Sequence, residues 1–140
     1  MIASFVTVQR VNAQTTISTQ PTYSANNGTG LVTFNFQNTN AFPVIIIGAS
    51  SVAANTSPST WKLWYRTTPV SGPPGIVSAA NGWVLSATNN LTSVIGSGSN
   101  NVLEPVITGA TLTVPANTTY AIAIGGFITA ATGGSRTPRA

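Results

Sequence analysis

The side chains with the most chemical reach lie on six consecutive positions, W-K-L-W-Y-R, from Trp61 to Arg66. Lys62, Trp64 and Arg66 alternate with Trp61, Leu63 and Tyr65, and a period of two puts the sets on opposite faces of a β-strand. A tryptophan on a flat strand can stack on a sugar ring while flanking cations engage hydroxyl or acidic groups. The same stripe can instead pack under the proline-containing stretch that follows, or against a neighbouring subunit, with the cation stems lying over the ring. Lys62, Trp64 and Arg66 are therefore the candidate contact, and protein is favoured over glycan as its occupant. Trp61, Tyr65 and Trp83 are assigned to the core.

Reaction chemistry is limited by inventory. The chain has no His, Asp or Cys, and Glu104 is its one acid. Ser-His-Asp and Cys-His nucleophiles are excluded, and paired-carboxylate glycoside hydrolysis lacks its second acid. Thiolate and imidazole zinc sites and carboxylate-built calcium sites are excluded too. A Ser-Lys pair through Lys62 stays formally open, but no motif places a serine beside it. The expectation is a protein that is not an enzyme and holds no cofactor or metal.

The net charge of +4 comes from Lys62, Arg10, Arg66, Arg136 and Arg139 against Glu104. Nucleic-acid binding calls for clustered basic residues, and these are scattered, so it is not expected. Only 4% of residues are charged, against about 25% in an ordinary domain. An Asn/Thr/Ser/Gly surface of this kind has few ions to desolvate, which suits association with copies of itself. No run reaches the roughly 18 apolar residues of a membrane span.

These side chains are positioned by strands and turns. Thr15–Thr19, Leu31–Gln37, Val44–Ile47, Trp61–Arg66, Trp83–Ala87, Leu91–Ile95, Val102–Ile107, Ala110–Val114, Thr119–Ile124 and Phe127–Thr129 read as short strands. In Leu31–Gln37, Val32, Phe34 and Phe36 share a face, as do Tyr120, Ile122 and Ile124 in Thr119–Ile124. Val44–Ile47 is apolar throughout, as in a strand covered on both sides. Gly48–Pro58 reads as a loop, the T-T-P-V-S-G-P-P-G stretch after Arg66 as a rigid exposed excursion, and Pro105 as the mark of an edge or bulge. The predicted fold is all-β, an antiparallel β-sandwich of Greek-key or jelly-roll type with about eight short strands, a barrel being the other option. Residues 14–129 form this domain and 130–140 a Gly/Ser/Arg-containing tail.

Residues 1–13 have two readings. Val11-Asn12-Ala13 looks like a small-residue cleavage site ending a residual signal segment, although Arg10 interrupts the apolar run and no basic stretch precedes it. Alternatively, Phe5, Val6, Val8 and Val11 belong to an N-terminal assembly strand, the preferred reading. The N-x-S/T sequons at Asn27, Asn55, Asn90 and Asn117 are expected by chance in so Asn/Thr-rich a chain.

The stretches T-F-N-F-Q-N-T-N-A-F-P-V-I-I-I, W-K-L-W-Y-R-T-T-P-V-S-G, N-G-W-V-L and L-T-V-P-A-N-T-T-Y-A-I-A-I resemble β-sandwich modules of secreted, surface-displayed, adhesin-like proteins of Bacteroidetes-type bacteria. The resemblance implies export to the cell surface and a structural or adhesive role, and it carries no catalytic or ligand residues. Without the usual C-terminal sorting domain, it implies a fragment or an independently assembling subunit. The expected function is thus a non-enzymatic extracellular subunit that self-assembles into a surface filament or larger surface protein by strand addition. Its partners would be copies of itself or other domains of that assembly. A carbohydrate-binding module built on Trp64 is one alternative, and a viral or phage capsid or fibre protein is another.

Overall fold

Short runs of β-branched and aromatic residues, broken by Pro, Gly and Asn, become eight strands in the computed structural model, which describes residues 15–17, 31–52, 58–92 and 103–128. They are β1 (Leu31–Asn38), β2 (Val44–Ile46), β3 (Ala49–Val52), β4 (Ser59–Arg66), β5 (Val84–Leu91), β6 (Leu103–Ile107), β7 (Leu112–Val114) and β8 (Thr118–Ile128). The described residues are all-β, and every pairing among them is antiparallel. Four strands form one sheet in the order β1-β8-β4-β5, while β2-β7 and β3-β6 form two short pairs. The pairings are nested: β4 with β5, β3 with β6, β2 with β7 and β1 with β8. One long hairpin wound back over itself has this pattern. No helix among the described residues is long and apolar enough to cross a membrane.

The core lies on one face of the four-stranded sheet, called the inner face below. Leu63 and Ile122 from the sheet meet Val106, Ile107, Ala110 and Leu112 from the short pairs and the turn between β6 and β7. Phe36, Trp61, Tyr65, Ala87, Tyr120 and Ile124 pack around them, so the predicted alternation of β1, β4 and β8 sets the inward side chains. Leu63 and Ile122 are almost fully buried, each contributing about 1.5–3 kcal/mol of apolar transfer. Tyr65 and Tyr120 stack with centroids 5.6 Å apart. Two glycines are required by close approach. A Cβ on Gly126 would sit 2.7 Å from the Trp61 ring, and one on Gly48 2.7 Å from the Ile107 carbonyl oxygen.

Several expectations need correction. Part of the predicted Gly48–Pro58 loop is β3, whose small residues show no alternation but pair with β6. The strand predicted over Trp83–Ala87 does not stop there: β5 starts at Val84 and runs through Asn89 and Asn90, residues of low strand propensity, to Leu91, while most of the predicted Leu91–Ile95 strand lies outside the described residues. Phe127 belongs to the end of β8 rather than to a separate strand. Ile45 and Ile47 are 57% and 50% exposed, so that segment is covered on one side only. Thr15–Ile17 is not a strand and is exposed. Pro105 does mark a bulge: Ala49 pairs with Ile107 and Ser50 with Pro105, leaving Val106 over.

Candidate functional site

β4 lies between β8 and β5, so its outward side chains look across neighbours on both sides. Lys62 is level with Gly125 and Thr88, Trp64 with Ala123 and Leu85, and Arg66 with Ala121. Small residues on β8 leave room for the large ones on β4. The predicted stripe therefore exists, with Lys62, Trp64 and Arg66 on the outer face and all three half-buried.

Part of what covers them is the proline-containing excursion, which folds back across the sheet. The Asn35 amide donates to the Val70 carbonyl at 2.9 Å and accepts the Val70 N–H at 3.0 Å, copying a ladder step with a side chain. Val70 and Val77 then join Leu31 and Trp64 in packing on Trp83, Ala121 and Ala123. The return is a turn in which Gly82 takes φ +76°, and the Trp83 N–H donates to the Ser78 carbonyl at 3.2 Å. The Asn81 amide donates to the Ile76 carbonyl at 2.8 Å. Trp83 ends 1% exposed, with the Arg66 guanidinium 5.7 Å from its ring centre. A cation over an indole face is attractive by about 0.5–2 kcal/mol.

Trp83 Nε1 is buried and has no hydrogen-bond partner among the described residues. An orphaned buried donor costs about 1–3 kcal/mol. Trp61, by contrast, donates from Nε1 to Ser59 Oγ at 3.0 Å, and that hydroxyl donates to the Leu91 carbonyl at 3.2 Å. Beside Trp83 a cleft of about 240 Å³ runs between Thr33 and Asn35 of β1 and Val70 and Gly72 of the excursion. That is below the roughly 300–1,000 Å³ of small-molecule pockets. A second recess, about 430 Å³, opens at the ends of β4 and β5, where Thr60 donates to Asn90 Oδ1 at 2.9 Å.

The other candidate region is the edge of the sheet at β1. Eight successive residue pairs join β1 to β8 without a register shift. On its other side β1 has no strand partner among the described residues. Its sequence, LVTFNFQN, has no charge and no proline, the usual devices that protect an edge. Val32 and Phe34 share the inner face with Phe36, yet they are 57% and 37% exposed because the short pairs do not reach over them.

The far end of β1 is pinned by a residue that the sequence reading did not single out. Asn38 is 1% exposed, and its Nδ2 lies within 2.9–3.1 Å of the carbonyls of Phe42, Val114 and Pro115. Its Oδ1 accepts from the backbone and side-chain nitrogens of Asn40, both at 3.0 Å. The available signal was parity, since Asn38 continues the inward series Val32, Phe34, Phe36. Asn35 was likewise missed, because its partner Val70 is 35 residues away.

The structure thus brings Lys62, Trp64 and Arg66 together, whereas Phe5, Val6, Val8 and Val11 lie outside the described residues, as do Arg136 and Arg139. No protein-family model, curated sequence or solved structure matches this chain.

Proposed function

We propose that this protein is a non-enzymatic structural or adhesive subunit of an extracellular surface assembly, and that copies associate through their sheet edges. The observation that carries this reading is the uncharged edge of β1, which has no strand partner on that side among the described residues, with Val32 and Phe34 exposed beneath it. Such an edge presents a row of backbone donors and acceptors to another chain. The low overall charge supports it, since close approach of copies strips water from few ions. Export and surface display follow from the resemblance to secreted adhesin-like modules. The outer stripe of Lys62, Trp64 and Arg66 would meet a protein neighbour rather than a sugar, because Trp64, like Val70 and Val77, already packs against the buried cluster of Trp83, Ala121 and Ala123.

The test is electron microscopy and sedimentation of the full chain over a range of concentrations. Filaments or large oligomers are expected, and a monomer at every concentration overturns the reading. A second reading, a capsid or fibre protein, is favoured by the nested pairing of the eight strands, since double-sheet jelly rolls recur in viral shells. Closed shells of uniform size in the same micrographs would select it.

A further inference from the structure

Val32 and Phe34 point to the core side of the sheet, yet nothing in the described chain covers them fully. Directly beside them runs the side of an unbroken strand that has no strand partner among the described residues. An apolar corner next to an open edge is the shape left when a sheet lacks one strand. A strand added there would satisfy the backbone and place alternate side chains over the corner.

We propose that residues 4–11 of a second copy of this chain are that strand. This rests on the self-assembly reading above and names its donor and acceptor. The segment S-F-V-T-V-Q-R-V alternates, with Val6 and Val8 on one side and Phe5, Thr7 and Gln9 on the other. Laid antiparallel with Val6 opposite Phe34 and Val8 opposite Val32, it puts both valines on the corner. Thr7 then faces Thr33 and Phe5 faces Asn35 on the outer side. Arg10 falls beyond Leu31, the first residue of β1, so the one charge in the segment stays out of the apolar contact. Moving the register by one residue would turn both valines to the outer face.

The donor comes from another copy for two reasons. Residues 12–30 lie between the segment and β1, a connection of nineteen residues. Compact domains rarely contain unstructured loops longer than about 12–15 residues. The described part of that connection, Thr15–Ile17, is exposed and outside every strand, with Ile17 70% exposed.

The chain has no cysteine, which makes the register directly measurable. Antiparallel partners have Cα separations of about 4.5–5.5 Å, within disulfide reach. A copy carrying Val8→Cys is mixed with one carrying Val32→Cys and oxidised. A disulfide-linked dimer is expected in high yield on a non-reducing gel, with at least a tenfold lower yield when Thr7→Cys replaces Val8→Cys. Equal yields, or no dimer, overturn the register. A chain carrying both Val8→Cys and Val32→Cys should link between copies, and a linked monomer overturns the exchange. Deleting residues 1–13 should leave the cooperative unfolding transition intact and abolish assembly. If the shortened chain assembles as before, the donor is wrong while the self-assembly reading stands. If the full chain never assembles, both fall.

Discussion

The two edges of the four-stranded sheet, β1 and β5, are each eight residues long, uncharged and free of proline, yet the fold treats them differently. β5 changes register against β4, pairing Leu63 with Ala87 and Trp64 with Leu85, so Ser86 is an extra residue. It is also tied to the opposite side of the core, where the Asn89 amide donates to the Val106 carbonyl at 3.1 Å. A bulge twists an edge and spoils its fit to an incoming strand. β1 keeps one register over its whole length and is fastened at its Asn38 end. Composition does not separate the two edges. What separates them is one inserted residue and the place of the bond across the core, at Asn38 on the end of β1 but at Asn89 inside β5.

The contrast is broken or upheld most directly by placing the same charge on each edge. Val32 and Val84 are exposed by 57% and 47%, so lysine at either should change monomer stability by no more than about 0.5 kcal/mol. Val32→Lys should abolish assembly in sedimentation velocity, while Val84→Lys should leave it unchanged. Equal effects would show that β1 is not the working edge.

Next in size is the pin at the end of β1. Asn38→Ala leaves buried carbonyls, that of Val114 among them, without their donor. The expected loss is about 2–3 kcal/mol in urea unfolding. Amide exchange should quicken first at Phe36 to Asn38, because there the strand loses its attachment. Uniform acceleration over all strands would mean that Asn38 stabilises the fold without fixing the edge.

A smaller change is expected on the protected side. Asn89→Ala removes the bond from β5 to Val106, at about 1–2 kcal/mol. It should also loosen β5 enough to add a second contact point, seen as branched or larger particles by electron microscopy. If assembly stays as before, the bulge at Ser86 alone protects that edge.

How far the sequence reveals this contrast depends on which interactions are local. The alternation of Val32, Phe34 and Phe36, and that of Tyr120, Ile122 and Ile124, is visible because successive side chains of a strand must alternate. The Trp61–Arg66 stripe was legible for the same reason. β3 was hidden, because Ala49, Ser50 and Ser51 have no preference of their own and are strand only through β6. The fate of the excursion was hidden too. Prolines predict that it leaves the ladder, but only the distant Asn35 amide says that it returns across the sheet. The openness of β1 depends on what fails to cover Val32 and Phe34, and no local pattern encodes that.

The smallest effect concerns Trp83, the residue just before β5. Replacing a buried tryptophan by phenylalanine ordinarily removes contact area and strands any group bonded to the indole nitrogen. At Trp61 both losses apply, because Ser59 Oγ accepts from Nε1 and the ring lies against Gly126. Trp61→Phe should therefore cost about 1–3 kcal/mol. At Trp83 the area loss is offset by removal of a buried donor that has no partner among the described residues. Trp83→Phe should shift the unfolding free energy by less than about 1 kcal/mol, although Trp83 is the more buried of the two. A cost equal to that at Trp61 would mean that the Trp83 nitrogen has a partner in solution. The cleft beside Thr33 and Gly72, which Trp83 itself lines, would then be the place to look for it.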